Sequence, residues 1–168
     1  MKVKVESKRA ACYPLSPFQM PYEFKLTRRV EFSETDMAGI VHFSNFFRMM
    51  EVTEHAFFRS LGFSIHGHDP VSTTGWPRVS ASCDFRAPLR FEDEVEIHLL
   101  VAEVRTRAIR YVFIFRKVTD ASEVARGEVV TVCASVEKTT GKLSAVPIPD
   151  AVRAAIQPAP EKLLAAAT

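Results

Sequence analysis

The sequence predicts an α+β fold in which one antiparallel sheet of about five strands curls around a single long helix. Three observations carry this. The segment Phe43–Leu61 has helical periodicity with a wide apolar face, four other segments alternate with period two while a fifth is apolar on both parities, and no strong helix interrupts the last four of these five. A helix that apolar needs a cover, and the strands supply it.

Residues 1–21 contain Pro14, Pro17 and Pro21 and show no period, so they read as an N-terminal extension. In Glu23–Phe32, Phe24, Leu26, Val30 and Phe32 share a parity against charged neighbours, as in an amphipathic strand. SETDMAGIV breaks the alternation. Phe46, Met50, Thr53, Phe57 and Leu61 then fall at i, i+4, i+7, i+11 and i+15, widened by Phe47, Met49 and Phe58, and Gly62 ends the helix.

WPRVSASCDF and DEVEIHLLVAEV alternate. RAIRYVFIFRKV is apolar on both parities, as expected inside a sheet, and in EVARGEVVTVCASVEK the residues Val130, Val132, Ala134 and Val136 share a face. KVTDASE and KTTGKLS suit hairpin turns. The expected domain is 22–149. The tail 150–168 is Ala-rich, with a short helix cut by Pro158 and Pro160.

At 168 residues with a net charge of +2, the chain is one domain's worth of globular protein without a bulk charge for nucleic acid. No apolar run reaches the ~18 residues of a membrane span, and the basic N-terminus lacks the apolar core of a secretory signal. Cys12, Cys83 and Cys133 are an odd, widely spaced set, which fits reduced thiols and a cytoplasmic setting.

Asp36 stands seven residues before the helix start. By itself, an acid there favours the helix N-terminus electrostatically. His66, His68 and Asp69 lack a thiolate or third histidine, so no metal site is expected. Cys83 alternates with core positions and reads as a buried thiol, and no phosphate-cradling or dinucleotide glycine fingerprint occurs.

The run ETDMAGIVHFSNFFRMMEV resembles the 4-hydroxybenzoyl-CoA thioesterase-like family of hotdog-fold enzymes. Asp36, Gly39, Val41, Asn45 and Phe46 fall on its loop motif, and Glu51 on an acidic helix position. APLRFEDEVEI and GKLSAVPIP are similar to two later family segments, so the likeness spans about Tyr22 to Pro149. Two departures stand out: Glu34 replaces the more usual Asp, and Phe43 occupies a position that is His in many bacterial members, with His42 one residue earlier.

The resemblance implies an acyl-CoA thioesterase. Asp36 would be nucleophile or general base, and the backbone N–H of Phe43, with Ser44 beside it, the oxyanion hole. Glu51 would approach the same cleft across a dimer, while Gly39, His42 and Asn45 would line or hold the loop. Arg105 and Arg107 resemble a basic pair that meets the CoA phosphates, although Ser144 stands where the family has a later basic residue. A homodimer or homotetramer is implied, with CoA as part of the substrate, no cofactor and no membrane partner. Two alternatives remain at this level: a hotdog enoyl- or hydroxyacyl-CoA hydratase-dehydratase, whose Asp-to-His spacing DMAGIVH lacks, and a non-catalytic acyl-CoA binder.

Overall fold

The computed structural model describes residues 21–65, 67–68 and 72–166. Nine strands and three helices follow in order: β1 Glu23–Arg29, α1 Phe43–Ser60, β2 Gly67–His68, β3 Ser72–Gly75, β4 Arg78–Phe85, β5 Glu94–Val104, β6 Ala108–Lys117, β7 Glu123–Val132, β8 Ala134–Glu137, β9 Leu143–Ala145, α2 Asp150–Ala155 and α3 Glu161–Ala165. The five-stranded antiparallel sheet has the order β1-β5-β6-β7-β4, and a four-stranded one the order β2-β3-β8-β9. The expected architecture of one helix against a five-stranded antiparallel sheet is what the chain forms.

α1 buries Phe46, Met49, Met50, Phe57 and Phe58 against Ile97, Leu99, Tyr111, Phe113 and Phe115 of β5 and β6. Gly127 sits on the same face of β7, opposite Phe113. A Cβ there would overlap the Met50 sulfur, so a residue without a side chain lets the helix settle on the sheet.

Two runs that alternate continuously in sequence are broken in space. The expected strand Glu123–Lys138 splits at Cys133, whose amide donates to the Arg107 carbonyl at 2.8 Å. Beyond it the chain leaves the main sheet and pairs with β3. Between β3 and β4 lie Trp76 and Pro77; proline has no N–H for a ladder. β1 ends at Arg29, and Phe32–Glu34 forms a 3-10 turn with Phe32 exposed. Cys83 is half-buried, and burial, with Asp84 next, pushes its thiol up to about 12, so it stays protonated.

Both faces of β6 are buried because the C-terminal tail covers the outer one. Val152 and Ile156 enter the main core, the Ala159 amide donates to the Val101 carbonyl at 2.7 Å, and Ala159, Leu164 and Tyr22 pack on Leu100, Val112 and Ile114. No helix among the described residues is long and apolar enough to cross a membrane.

Candidate active site

The loop between β1 and α1 is held at both shoulders. Val41 donates to the Leu89 carbonyl (2.8 Å), His42 to the Glu34 carbonyl (2.9 Å), and Thr35 and Val41 form an isolated bridge. Inside that frame the Asp36 amide donates to the Ile40 carbonyl and the Gly39 amide to the Asp36 carbonyl, each at 2.9 Å. This turn needs φ +72° at residue 39, a conformation glycine adopts without a Cβ penalty. Asp36 Oδ1 accepts the Ala38 N–H at 2.8 Å, and Oδ2 has no partner among the described residues; the side chain is exposed.

α1 begins at Phe43 with His42 as its N-cap. His42 Nδ1 lies 2.8 Å from Ser44 Oγ and accepts the Ser44 N–H at a long 3.4 Å. The Phe43 N–H makes no hydrogen bond among the described residues, as an unsatisfied first-turn donor. Asn45 leaves the capping to His42. Its Nδ2 donates to the Glu34 carbonyl at 2.8 Å and ties helix to loop. Glu34 has a structural role: Oε2 accepts from Arg28 Nη2 (2.8 Å) and from the Glu31 amide (2.9 Å).

Loop and helix start thus bring Asp36, Gly39, His42, Phe43, Ser44 and Asn45 together. Glu51 is elsewhere in the chain. It lies two turns along α1, paired with Arg78 Nη1 at 3.0 Å, and lines a cavity of about 530 Å³ with His55, Arg59, Trp76 and Arg78. Arg105 and Arg107 flank the β5–β6 turn, at the end of β5 opposite the one that meets the loop. His66 and Asp69 lie outside the described residues, and of His68 only the backbone, in β2, is described.

The profile of the thioesterase-like superfamily matches residues 30–156, which include the loop, α1 and the whole sheet except β1. The chain belongs to that superfamily. A gentisyl-coenzyme A thioesterase of known structure is 30% identical to this thioesterase, with a TM-score of 0.67 over 80% of this chain and 100% of the other. A protein of Aquifex aeolicus (strain VF5) is 33% identical over 130 residues, 76% of this chain and 93% of that relative. The 1,4-dihydroxy-2-naphthoyl-CoA hydrolase of Synechocystis sp. (strain ATCC 27184 / PCC 6803 / Kazusa) is 26% identical over 110 residues, 66% of this chain and 80% of the relative. The resemblance read from the loop motif is therefore sound at the level of family and hotdog fold.

Two features of this thioesterase escape motif reading. Arg90, in the APLRFEDE segment, brings Nη1 to 4.0 Å from where a Gly39 Cβ would stand, and makes no ion pair among the described residues. It is a cation beside the Asp36 turn, with Asp93, three residues on, as its electrostatic neighbour. The second is Glu54, 1% exposed, whose Oε2 meets Arg78 Nη2 at 2.7 Å while Oε1 has no partner among the described residues. Burial outweighs the Arg78 charge and raises its carboxyl from the ordinary 4.5 to about 7. Burial, then Glu54's charge, pushes the Tyr111 hydroxyl well above its ordinary range, and burial followed by Arg78 lowers His55. The helical period did signal Glu54: it lies four residues from both Met50 and Phe58, inside the buried stripe.

Proposed function

We propose that this thioesterase hydrolyses an acyl-CoA thioester to the free acid and CoA. Asp36 acts as nucleophile or general base, and the amides at the start of α1 form the oxyanion hole. The observation that carries this reading is a carboxylate with one oxygen unpartnered among the described residues, on a loop fixed from both sides, just ahead of a helix whose first amide likewise has no partner among them. The activity of the gentisyl-coenzyme A relative supports the CoA class of substrate.

Sulfur donates poorly into the carbonyl, so the thioester needs only an oxygen nucleophile and a place for the negative charge. In one route Asp36 attacks the carbonyl carbon to give an acyl anhydride, which water then opens. In the other, Asp36 takes a proton from water as the water attacks. In both, a C–O bond forms, the C–S bond breaks, and the departing thiolate takes up a proton. The Phe43 N–H is the better oxyanion donor, because the Ser44 N–H already leans on His42. Gly39 shapes the turn, His42 and Asn45 hold its junction with the helix, and the chemistry calls for no metal or redox cofactor.

The working unit we propose is a homodimer or a tetramer built from it. β4 is an edge strand whose Val79 and Phe85 are 63% and 50% exposed, and pairing two copies along it covers both. Glu51 then reaches the partner's loop rather than its own. The free thiols of Cys83 and Cys133 support a cytoplasmic setting. The test is Asp36→Asn, assayed by free-thiol release from a panel of aromatic, short and long acyl-CoAs. Hydrolysis should fall at least about a hundredfold with the melting temperature unchanged. Activity within a few-fold of wild type would end this mechanism.

A further inference from the structure

The β5–β6 turn is held from two sides. Its three carbonyls are all engaged: Arg105 O accepts from Arg153 Nη1 (2.8 Å), Thr106 O from the Ile148 amide (2.9 Å) and Arg107 O from the Cys133 amide (2.8 Å). Arg153 comes from α2, in the tail, so a third guanidinium is drawn against a turn that already carries two. All three side chains are exposed. Arg105 is partly balanced by Glu103 at 2.9 Å, whereas Arg107 and Arg153 make no ion pair among the described residues. Asp150, one turn before Arg153 on α2, is not paired with it.

Three exposed guanidiniums at one turn, two of them held in place and with one nearby carboxylate partner, suit a ligand bearing several phosphate oxygens, because each fork can take two of them. We propose that Arg153 joins Arg105 and Arg107 in a phosphate cluster for the nucleotide end of the CoA thioester, serving Asp36 of a second copy. This rests on the acyl-CoA reading above. The second copy follows from reach. β5 has 11 residues and separates the turn from the Asp36 loop by ~33 Å along the strand. The arm from thioester sulfur to pyrophosphate has about as many bonds as four to five residues, ~17 Å when extended. The tail, which lies outside the motif segments, thereby contributes to substrate binding.

The test compares an acyl-CoA that the enzyme turns over with the N-acetylcysteamine thioester of the same acyl group, which lacks every phosphate. Arg153→Gln should raise KM for the CoA substrate about tenfold, leave kcat unchanged, and leave both constants for the short thioester unchanged. Arg153→Lys, which keeps the charge, should stay within about threefold of wild type. Calorimetry with adenosine 3′,5′-bisphosphate should show a matching loss of affinity in R153Q, a readout that stands even if no thioester is hydrolysed. Equal KM rises on both substrates, no change on either, or equal damage from Gln and Lys would mean that Arg153 only braces the turn. Mixing D36N with an R105Q/R107Q/R153Q triple variant decides the second-copy arrangement: low-KM activity should reappear in mixed oligomers, and its absence would overturn the assignment of the cluster to the thioester that Asp36 attacks.

Discussion

Replacing Glu54 by Gln should change how stability depends on pH more than it changes stability at any one pH. The carboxyl is buried beneath α1 with one oxygen on Arg78 and the other unsatisfied, and its proton is held up to about 7 against an ordinary 4.5. Between those values the folded protein binds the proton that the unfolded chain has released. Stability from this group is therefore fully present below about 4.5 and lost as the pH rises through about 7. For these two values, linkage makes the loss between pH 5 and pH 8 about 2–3 kcal/mol. Glutamine has no proton to lose, so the E54Q protein lacks this component, while other titrating groups cancel in the comparison.

The assay is urea unfolding of both proteins from pH 5 to pH 8. The difference in unfolding free energy, wild type minus E54Q, should fall by about 2–3 kcal/mol across that range. Arg78 opposes the effect, because its charge and hydrogen bond both favour the carboxylate. A difference that is flat, or that grows with pH, would show that Arg78 wins over desolvation and would refute the reasoning.

Asp36→Asn should remove at least about 99% of thioester hydrolysis while leaving the urea midpoint in place. Gly39→Ala should cost about 1–2 kcal/mol and lower kcat further than that loss implies, because φ is +72° there. Arg90 Nη1 at 4.0 Å leaves room for the methyl, so the cost is conformational. Gly127→Ala should destabilise by about 1–3 kcal/mol through overlap with Met50; pairing it with Met50→Ala should recover part of that, measured by a double-mutant cycle of urea midpoints. Arg153→Gln should separate CoA substrates from short thioesters in KM, as set out above.

Sequence periodicity carried most of the fold because the hydrophobic pattern is strong where burial is two-sided. The stripe from Phe46 to Leu61 fits α1 almost end to end, and the double apolar parity of Ala108–Lys117 marked the middle strand. It failed where alternation continues through a change of partner. Val132, Ala134 and Val136 keep one parity across Cys133, and only the diverted amide at 133 reveals that the strand has left its sheet. The tail was hidden for a related reason. Leu100, Val112 and Ile114 showed that something covers the outer face of β5 and β6, while Ala159 and Leu164 are too sparse to announce themselves as the cover. At the candidate site, Asp36 and Gly39 were legible because a turn with a positive φ and an acid at a helix start leave chemical signatures. Arg90 left none, since its approach to Gly39 depends on the bond that joins Val41 to Leu89 across two distant segments.

The seven-residue gap between Asp36 and Phe43 can now be derived from the hydrogen bonds. The connection closes both the Asp36–Ile40 turn and the bridge from His42 back to Glu34, and each fixes one end of the loop. The turn aims the carboxylate, and the bridge, together with Asn45 on Glu34, sets where α1 begins. An acid that merely complemented the helix dipole would sit in the first turn or at the cap, where the field is strongest. Here the cap is His42, the first turn has no acid, and the aspartate is turned out to solvent with one oxygen free. In the mechanism we propose, a carboxylate held one tight turn ahead of the helix start serves a substrate carbonyl together with the Phe43 amide instead of capping the helix.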